Sequence, residues 1–262
     1  ALTASGSQRP IDEITAAFQK ALSYNSFGTS ETREQMSSFA RGALEGDRFS
    51  EEEKKRFAKL TVEELRKETG HKAKDVKHLL FLASVLTRAL KFDSAYAAEA
   101  ENVLKEALRL SPGKQIIYFE AAQFYLSTNN PNKAIELLQQ AWDLDRSYAG
   151  AAANLWAIAT LAKRQDIIPE VRKEVRIDLL EESFLYRIAV ASQGAENFPQ
   201  ALEIYSELVK RSPQNSNYLA THAALLALFG RKEEARASAE AALRLDPSLE
   251  GEVREFLRRL GR

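Results

Sequence analysis

Histidine is the side chain best suited to acid-base chemistry at neutral pH or to metal binding, and the sequence has three: His71, His78 and His222. His71 and His78 would lie two turns apart only if one helix contained both, and Gly70 favours a loop there. The chain has no cysteine, and no suitably spaced carboxylate completes a set of metal ligands. The sequence therefore predicts structural or solvent-exposed histidines and no metal site.

Neighbouring carboxylates occur at Glu51–Glu53 and at Glu181–Glu182. Successive side chains on a helix point in different directions, and acidic residues are favoured at a helix N-terminus, so these groups are typical of helix starts. No phosphate-binding glycine loop, nucleophile elbow or HExxH pattern occurs. We expect no catalytic residues, no cofactor and no enzymatic activity.

The composition favours an all-α fold without a nucleic-acid partner. Basic and acidic residues each number 37, so no net charge attracts a polyanion. Helix-forming residues dominate, and glycine and proline are few. The longest nearly apolar runs, "HLLFLASVL" and "AAANLWAIATLA", are well short of the roughly 20 residues of a membrane-spanning helix. We therefore expect no direct membrane insertion, and the compartment stays open.

An interval of 34 residues recurs from Ala100 onwards. It separates Ala100 from Ala134, Ala201 from Ala235, and Pro213 from Pro247. The interval from Ala134 to Ala201 is 67, which leaves room for one irregular unit between them. A period of this length predicts a helical repeat array.

Around these positions the sequence resembles the tetratricopeptide repeat, a helix-turn-helix unit with large residues on its first helix and Ala, an aromatic residue or Leu, then Ala on its second. The match is clear in the second, fourth and fifth units. In the second unit it rests on Tyr118, Ala121, Ala122, Tyr125, Ala134, Leu138 and Ala141. In the fourth it rests on Leu185, Ile188, Ala189, Ser192, Ala201, Tyr205 and Leu208, and in the fifth on Leu219, His222, Ala223, Leu226, Ala235, Ala239 and Ala242. The first unit has a longer connection between its helices, and the third lacks a second-helix pattern in "KRQDIIPEVRKEV". The resemblance implies a right-handed superhelical solenoid of about five helix pairs, the third one degenerate.

The ends of the chain differ from the repeats. We expect a flexible leader at 1–9, N-terminal helices at 10–75 that pack on the array, the array itself at 76–247, and a capping helix at 248–262. Ser50 with Glu53, and Thr61 with Glu64, fit the capping box and predict a helix or a helix pair that starts near 51 and 62. Ser30 is expected to cap an earlier helix.

The resemblance also implies that ligands lie in a concave groove formed by the first helices. The residues expected to line it are Ile116, Phe119, Gln123, Leu126, Tyr186, Val190, Gln193 and Asn217. This lining is apolar with a few amides, so a peptide or partner protein is the expected ligand. Some relatives grip carboxylate ends of chaperone tails with asparagines, but the matching positions here include Ser84, Gln123 and Ala157. That clamp is therefore not expected.

Two segments, "AFQKALSYNSFGTSETREQMSSFA" and "LRLSPGKQIIYFEAAQFYLSTNN", are similar to the tetratricopeptide tail of bacterial O-antigen ligase or polymerase-like membrane proteins. This resemblance implies an extracytoplasmic accessory domain, covalently linked to a membrane part upstream of Ala1; otherwise we expect a cytoplasmic location. Two hypotheses therefore stand: a non-catalytic protein-binding scaffold, and an accessory domain of a glycan-assembly enzyme.

Overall fold

The computed structural model describes residues 9–70 and 75–261. Over these residues the protein has fourteen α-helices and no strand, which confirms the all-α prediction. The chain divides into two compact units, unit 1 at 1–144 and unit 2 at 145–262. Two expectations lie outside the described residues: the first eight positions of the predicted leader, and His71.

Unit 1 has seven helices in its described part. They are α1 (Ile11–Ser23), α2 (Thr29–Glu45), α3 (Glu51–Thr69), α4 (Val76–Ala89), α5 (Tyr96–Leu110), α6 (Gln115–Ser127) and α7 (Pro131–Leu144). Helix α4 pairs with α5 and α6 with α7, and both members of the first pair also pack on α6. The first helices of these two repeats are therefore α4 and α6, and the second helices are α5 and α7.

Small residues allow the helices of each pair to approach closely. Ala83, Ala100, Ala122 and Ala134 are all 2% exposed or less. An apolar cluster centred on Ile117 joins α6 to Leu79 of α4 and Ala107 of α5. Because one helix pair cannot bury both of its faces, the next pair completes this core. The alanines that set the 34-residue period are thus core residues.

Helices α2 and α3 form a further pair, and both pack on α4. The rings of Phe39 and Phe57 meet edge to face with centroids 5.3 Å apart, and Phe18 of α1 lies 6.2 Å from Phe57. Arg33 Nε of α2 bonds Glu64 Oε2 of α3 at 3.2 Å. Aromatic and ionic contacts join these helices beside buried alanines such as Ala40 and Ala58, which do not follow the 34-residue interval.

The capping box predicted at the start of α3 is confirmed. The Glu53 main-chain N–H donates to Ser50 Oγ at 3.4 Å, and the Ser50 N–H donates to Glu53 Oε2 at 2.8 Å. Each residue thereby satisfies a main-chain donor of the other at the exposed end of the helix.

Of the two alternatives for this region, one helix is observed rather than a pair, and the predicted N-cap of α2 is wrong. Helix α3 runs without a break past Thr61, whose hydroxyl donates to the Phe57 carbonyl at 2.8 Å. A threonine inside a helix can satisfy its hydroxyl in this way, so a capping pattern alone does not begin a helix. Helix α2 already includes Ser30, and its N-cap is Gly28.

Unit 2 has seven helices and two short 3₁₀ turns in its described part. They are α8 (Ala149–Leu161), α9 (Ile168–Glu174), the turn Ile177–Leu179, α10 (Glu182–Gly194), α11 (Phe198–Arg211), α12 (Ser216–Leu228), α13 (Lys232–Leu245), the turn Pro247–Leu249 and α14 (Glu250–Leu260). Helices α10 and α11 pair, as do α12 and α13, and α11 packs on α12. The first helices here are α8, α10 and α12.

The segment after α8 does not form a full second helix. Helix α9 has only 7 residues, against 14 in each of α11 and α13, and α8 packs directly on α10 instead. Small residues make this contact close. A Cβ atom added at Gly150 would lie 2.6 Å from Cζ of Tyr148 and 2.8 Å from Cζ of Phe184.

A buried polar network lies between α8, α10 and α11. Trp156 Nε1 donates to Gln200 Oε1 at 3.1 Å, and Gln200 Nε2 donates to Ser192 Oγ at 2.7 Å and to Thr160 Oγ1 at 3.1 Å. The Arg172 guanidinium of α9 stacks 5.3 Å from the centre of the Trp156 ring. The short helix thus covers the tryptophan that a full second helix would otherwise bury.

Helix α14 covers the end of the last pair. Val253 packs against Ala223 of α12 and Ala239 of α13, with Phe256 and Leu257 partly buried beside them. The opposite side carries exposed charged residues such as Arg254. Such an amphipathic helix shields the apolar face of a terminal repeat from water.

Four turns between first and second helices share one backbone conformation. Asn129, Lys163, Glu196 and Gly230 have φ angles of 57°, 55°, 59° and 71°. The N–H of the following residue bonds a carbonyl five positions earlier in each turn: 130 to 125, 164 to 159, 197 to 192, and 231 to 226. This is the Schellman helix ending. The intervals between the four residues, 34, 33 and 34, carry the repeat register through the degenerate unit.

Candidate functional site: the first-helix faces

In unit 1, the candidate residues occupy one side of α6. Ile116 is 51% exposed, Gln123 is exposed, and Phe119 and Leu126 are half-buried. The opposite side of the helix is buried, and the residues there are Ile117, Tyr118, Ala121, Ala122 and Phe124. A helix that is apolar nearly all round therefore keeps one partly exposed apolar side.

Unit 1 also has a cavity of about 300 Å³ at the C-terminal ends of α2, α4 and α6. It is lined by Leu44, Glu45, Thr87, Arg88, Leu90, Lys91, Gln123 and Ser127. Gln123 is the one predicted candidate in this lining. The other seven were not predicted, because they come from three helices and from the residues directly after α4, and no sequence spacing joins them.

The two cations of this cavity are engaged within the protein. Arg88 Nε lies 2.8 Å from Glu45 Oε1, and Arg88 Nη1 lies 3.6 Å from Glu120 Oε2. Lys91 Nζ donates to the Leu44 carbonyl at 2.6 Å, in the last turn of α2. Cations are favoured at helix C-termini, where the carbonyl groups lack main-chain partners. The cavity therefore does not present an unbalanced positive charge.

In unit 2, the candidate residues lie on α10 and α12. Tyr186 and Val190 are 46% and 45% exposed, and Asn217 is exposed. The Tyr186 ring lies 5.6 Å from that of Tyr218, the neighbour of Asn217 on α12. Gln193 Oε1 accepts a hydrogen bond from Tyr205 at 2.9 Å, so its carbonyl already has a partner.

Two tyrosines next to this face, buried Tyr205 and half-buried Tyr218, have raised pKa values. Burial raises the pKa of Tyr205 to about 12, and burial followed by a hydrogen bond to Glu182 raises the pKa of Tyr218. The Tyr218 hydroxyl donates to Glu182 Oε1 at 3.1 Å, and Ser212 donates to Glu182 Oε2 at 2.6 Å. Glu182 thus has structural partners at the N-terminal end of α10.

The eight candidates divide equally between the units. Ile116, Phe119, Gln123 and Leu126 belong to unit 1, and the other four, Tyr186, Val190, Gln193 and Asn217, to unit 2. The structure brings together members of each set on first helices. That they line one ligand groove stays a prediction.

The described residues offer no metal-ligand cluster, and His222 has structural contacts. Over residues 9–70 and 75–261, no group of three His, Cys, Asp or Glu side chains could hold a metal ion. His222 lies near Ser206, but the Ser206 hydroxyl donates its proton to the Leu202 carbonyl at 2.7 Å. The ring therefore does not accept the proton of this serine, as a general base for nucleophilic catalysis must.

None of the helices in the described part of the chain combines the length and apolar character needed to cross a membrane.

Comparison with known proteins supports the repeat prediction. Residues 92–162 match the family model of the tetratricopeptide repeat. PilF of Pseudomonas aeruginosa shares the fold, with a TM-score of 0.53 at 18% identity over 88% of this chain and 99% of that chain. The chain thus has an all-helical repeat fold similar to that of tetratricopeptide solenoids. A comparison with curated proteins found no match.

Two further solved structures show weaker likeness. YrrB, described as a TPR protein with an unusual peptide-binding site, is 13% identical over 71% of this chain and 94% of its own, with a TM-score of 0.48. MamA is 16% identical over 62% of this chain and 96% of its own, with a TM-score of 0.47.

Proposed function

We propose that this protein is a non-catalytic scaffold that binds a peptide or partner protein through the first-helix faces. One observation carries the proposal. Among the described residues, the large apolar side chains that are exposed within an α-helix, rather than at its last residue, are Ile116, Tyr186 and Val190. All three lie on first helices, and all three belong to the candidate set.

A partner that covers these exposed apolar side chains gains binding free energy. Single exposed leucines at helix ends are common in soluble proteins, but neighbouring exposed apolar side chains mark interaction sites. Tyr186 and Val190 lie one turn apart on α10, so a partner can cover both at once. Burying apolar area contributes about 25 cal/mol per Å², which favours an apolar partner segment.

A library of random peptides displayed on phage tests the proposal. Selection on the full chain should yield peptides, and their dissociation constants are then measured by fluorescence anisotropy. The variants Ile116→Ser and Tyr186→Ser should each weaken binding, by about tenfold if 1.4 kcal/mol is lost. Leu110→Ser, at an exposed leucine on the second helix α5, is the matched control and should leave the affinity unchanged. Equal affinity for all variants would contradict the proposal.

A second candidate function rests on the two segments similar to O-antigen ligase-like proteins. In that case the scaffold is an accessory domain that recruits partners for, or positions, a growing polysaccharide. The gene sequence upstream of the Ala1 codon tests this directly. About ten apolar helices encoded there would support the candidate, and a start codon or a signal peptide directly before Ala1 would contradict it.

A further inference from the structure

Phe27 lies in the loop between α1 and α2, and its side chain is fully exposed to solvent. Other phenylalanines of this part of the chain, such as Phe18 and Phe57, are buried. The Thr29 N–H donates to the Ser26 carbonyl at 2.9 Å, and this turn presents Phe27 on the surface. A large apolar ring on a hydrogen-bonded turn is available to a pocket of another molecule.

Unit 2 has a small cavity between α12, α13 and α14, which we call the end cavity. Its volume is about 170 Å³, and it is lined by Ala220, Ala223, Ala239, Leu249, Glu252, Val253 and Phe256. Apart from Glu252, these side chains are apolar. Glu252 is exposed and Ala220 is half-buried, so the cavity opens to solvent beside them. Apolar cavities of about 150 Å³ bind benzene, so the end cavity has room for one phenyl ring.

The end cavity lies where the capping helix replaces a further repeat. Leu185 of α10, Leu219 of α12 and Val253 of α14 follow one another at intervals of 34 residues, and all three are buried. Val253 packs against Ala223 and Ala239. Because valine is one methylene shorter than the leucines of this series, it leaves space beside the two alanines.

We propose that Phe27 of one copy inserts into the end cavity of a second copy, so that the protein associates head to tail. The ring fits the cavity in volume and in apolar character, and within its own chain it stays in solvent. This inference goes beyond the proposed function, because neither Phe27 nor any residue of the end cavity is among the eight candidate binding residues.

The ring and the cavity are different surfaces, so the contact is heterologous. Each associated copy keeps either a free ring or a free cavity, and growth continues unless the copies close into a ring. Aromatic side chains bury about 150–250 Å² each, whereas standard interfaces bury roughly 1,200–2,000 Å². The association is therefore weak, and monomers predominate at low protein concentration.

Sedimentation velocity of the full chain over a range of concentrations tests the proposal. The weight-average sedimentation coefficient of the wild type should rise with concentration. Phe27→Ser should lower the association constant by about tenfold or more, because it removes the buried ring. Leu179→Ser, at another exposed large apolar residue outside the α-helices, is the matched control and should associate like the wild type.

Two outcomes of this measurement would overturn the proposal. One is equal association of Phe27→Ser and the wild type. The other is a wild type that stays monomeric at every concentration, which would leave Phe27 to a different partner, such as another protein or a lipid surface.

A mixture of two variants distinguishes head-to-tail contact from other self-association. Ala220→Leu fills the end cavity from its mouth, and Ala224→Leu, at an exposed position one turn along α12, is its control. Phe27→Ser and Ala220→Leu should each stay monomeric alone. Mixed together they should form a 1:1 complex, because the first supplies the cavity and the second supplies the ring. A mixture that stays monomeric would contradict the proposal.

Methyl resonances of the wild-type protein test the contact without any change in the cavity. The signals of Ala223, Ala239 and Val253 should shift as the concentration rises, because an inserted aromatic ring alters the magnetic field at nearby methyl groups. These shifts should be absent in Phe27→Ser, which changes an exposed loop residue and leaves the core intact. Shifts of equal size in both proteins would assign the end cavity to a different group and overturn the proposal.

Discussion

Lys163 and Glu196 adopt the same left-handed backbone conformation, with φ angles of 55° and 59°, although neither is a glycine. Each follows a first helix, and the next N–H closes a Schellman ending, Arg164 to Ala159 at 2.8 Å and Asn197 to Ser192 at 2.8 Å. A residue with a Cβ atom is strained in this region by roughly 1–2 kcal/mol. The repeat geometry therefore imposes the turn even where the residue type does not favour it.

This strain gives a stability prediction. Lys163→Gly and Glu196→Gly should each raise the free energy of unfolding by about 0.5–1 kcal/mol, because glycine adopts the left-handed conformation without strain. Gly230→Ala, at the equivalent turn with φ 71°, should lower it by about 1 kcal/mol. Urea unfolding measures all three. A destabilised Glu196→Gly or a neutral Gly230→Ala would contradict the assigned turns.

The burial of the periodic alanines gives a second stability prediction. Ala134 of α7 is fully buried, so Ala134→Leu should overpack the contact between α6 and α7 and cost about 1–3 kcal/mol. Gln140→Leu, at an exposed position of the same helix, is the control for added apolar volume and should have little effect. Thermal unfolding compares the two. If both variants unfold at the same temperature as the wild-type protein, the repeat register is wrong.

Close packing of α8 on α10 depends on Gly150. Gly150→Ala should destabilise unit 2 by about 1–3 kcal/mol, because the added methyl group meets the rings of Tyr148 and Phe184. Gly251→Ala is the matched control, since nothing lies within 4 Å of a Cβ atom there. Urea unfolding of both variants distinguishes the clash from a general effect of replacing glycine, and similar stability in the two would argue against a close contact at Gly150.

The candidate binding residues are uncharged, which predicts a salt-insensitive interaction. The affinity of a selected peptide should change less than about threefold between roughly 0.05 and 0.5 M NaCl, because apolar contacts are not screened. Isothermal titration calorimetry at several salt concentrations measures this. A steep loss of affinity with salt would assign the binding to charged residues elsewhere, such as Arg88 and Lys91 beside the unit 1 cavity.

The repeat pairs could be predicted from the sequence because their contacts use small residues at fixed spacing. Ala134, Ala201 and Ala235 mark second helices directly. The pair formed by α2 and α3 does not share this spacing, although it also buries alanines such as Ala40 and Ala58, and its phenylalanine rings and Arg33–Glu64 pair do not follow the 34-residue interval. A pattern search detects repetition, and these contacts occur once.

Part of the candidate site could also be predicted from the regular spacing of the repeat residues. Repeat positions place Tyr186 and Val190 on the exposed side of a first helix, because the register of the buried residues fixes the remaining side. The cavity beside Arg88 was not predictable, since its lining comes from helices that are far apart in sequence. Nor does the residue type of Lys163 or Glu196 indicate a left-handed turn.

Hydrogen-deuterium exchange of the full chain, with and without a selected peptide, tests the central claim most directly. Binding through the first-helix faces predicts slower exchange of amides in α6, α10 or α12 on addition of the peptide. The second helices α5, α7, α11 and α13 should change little. Protection confined to those second helices would contradict the account.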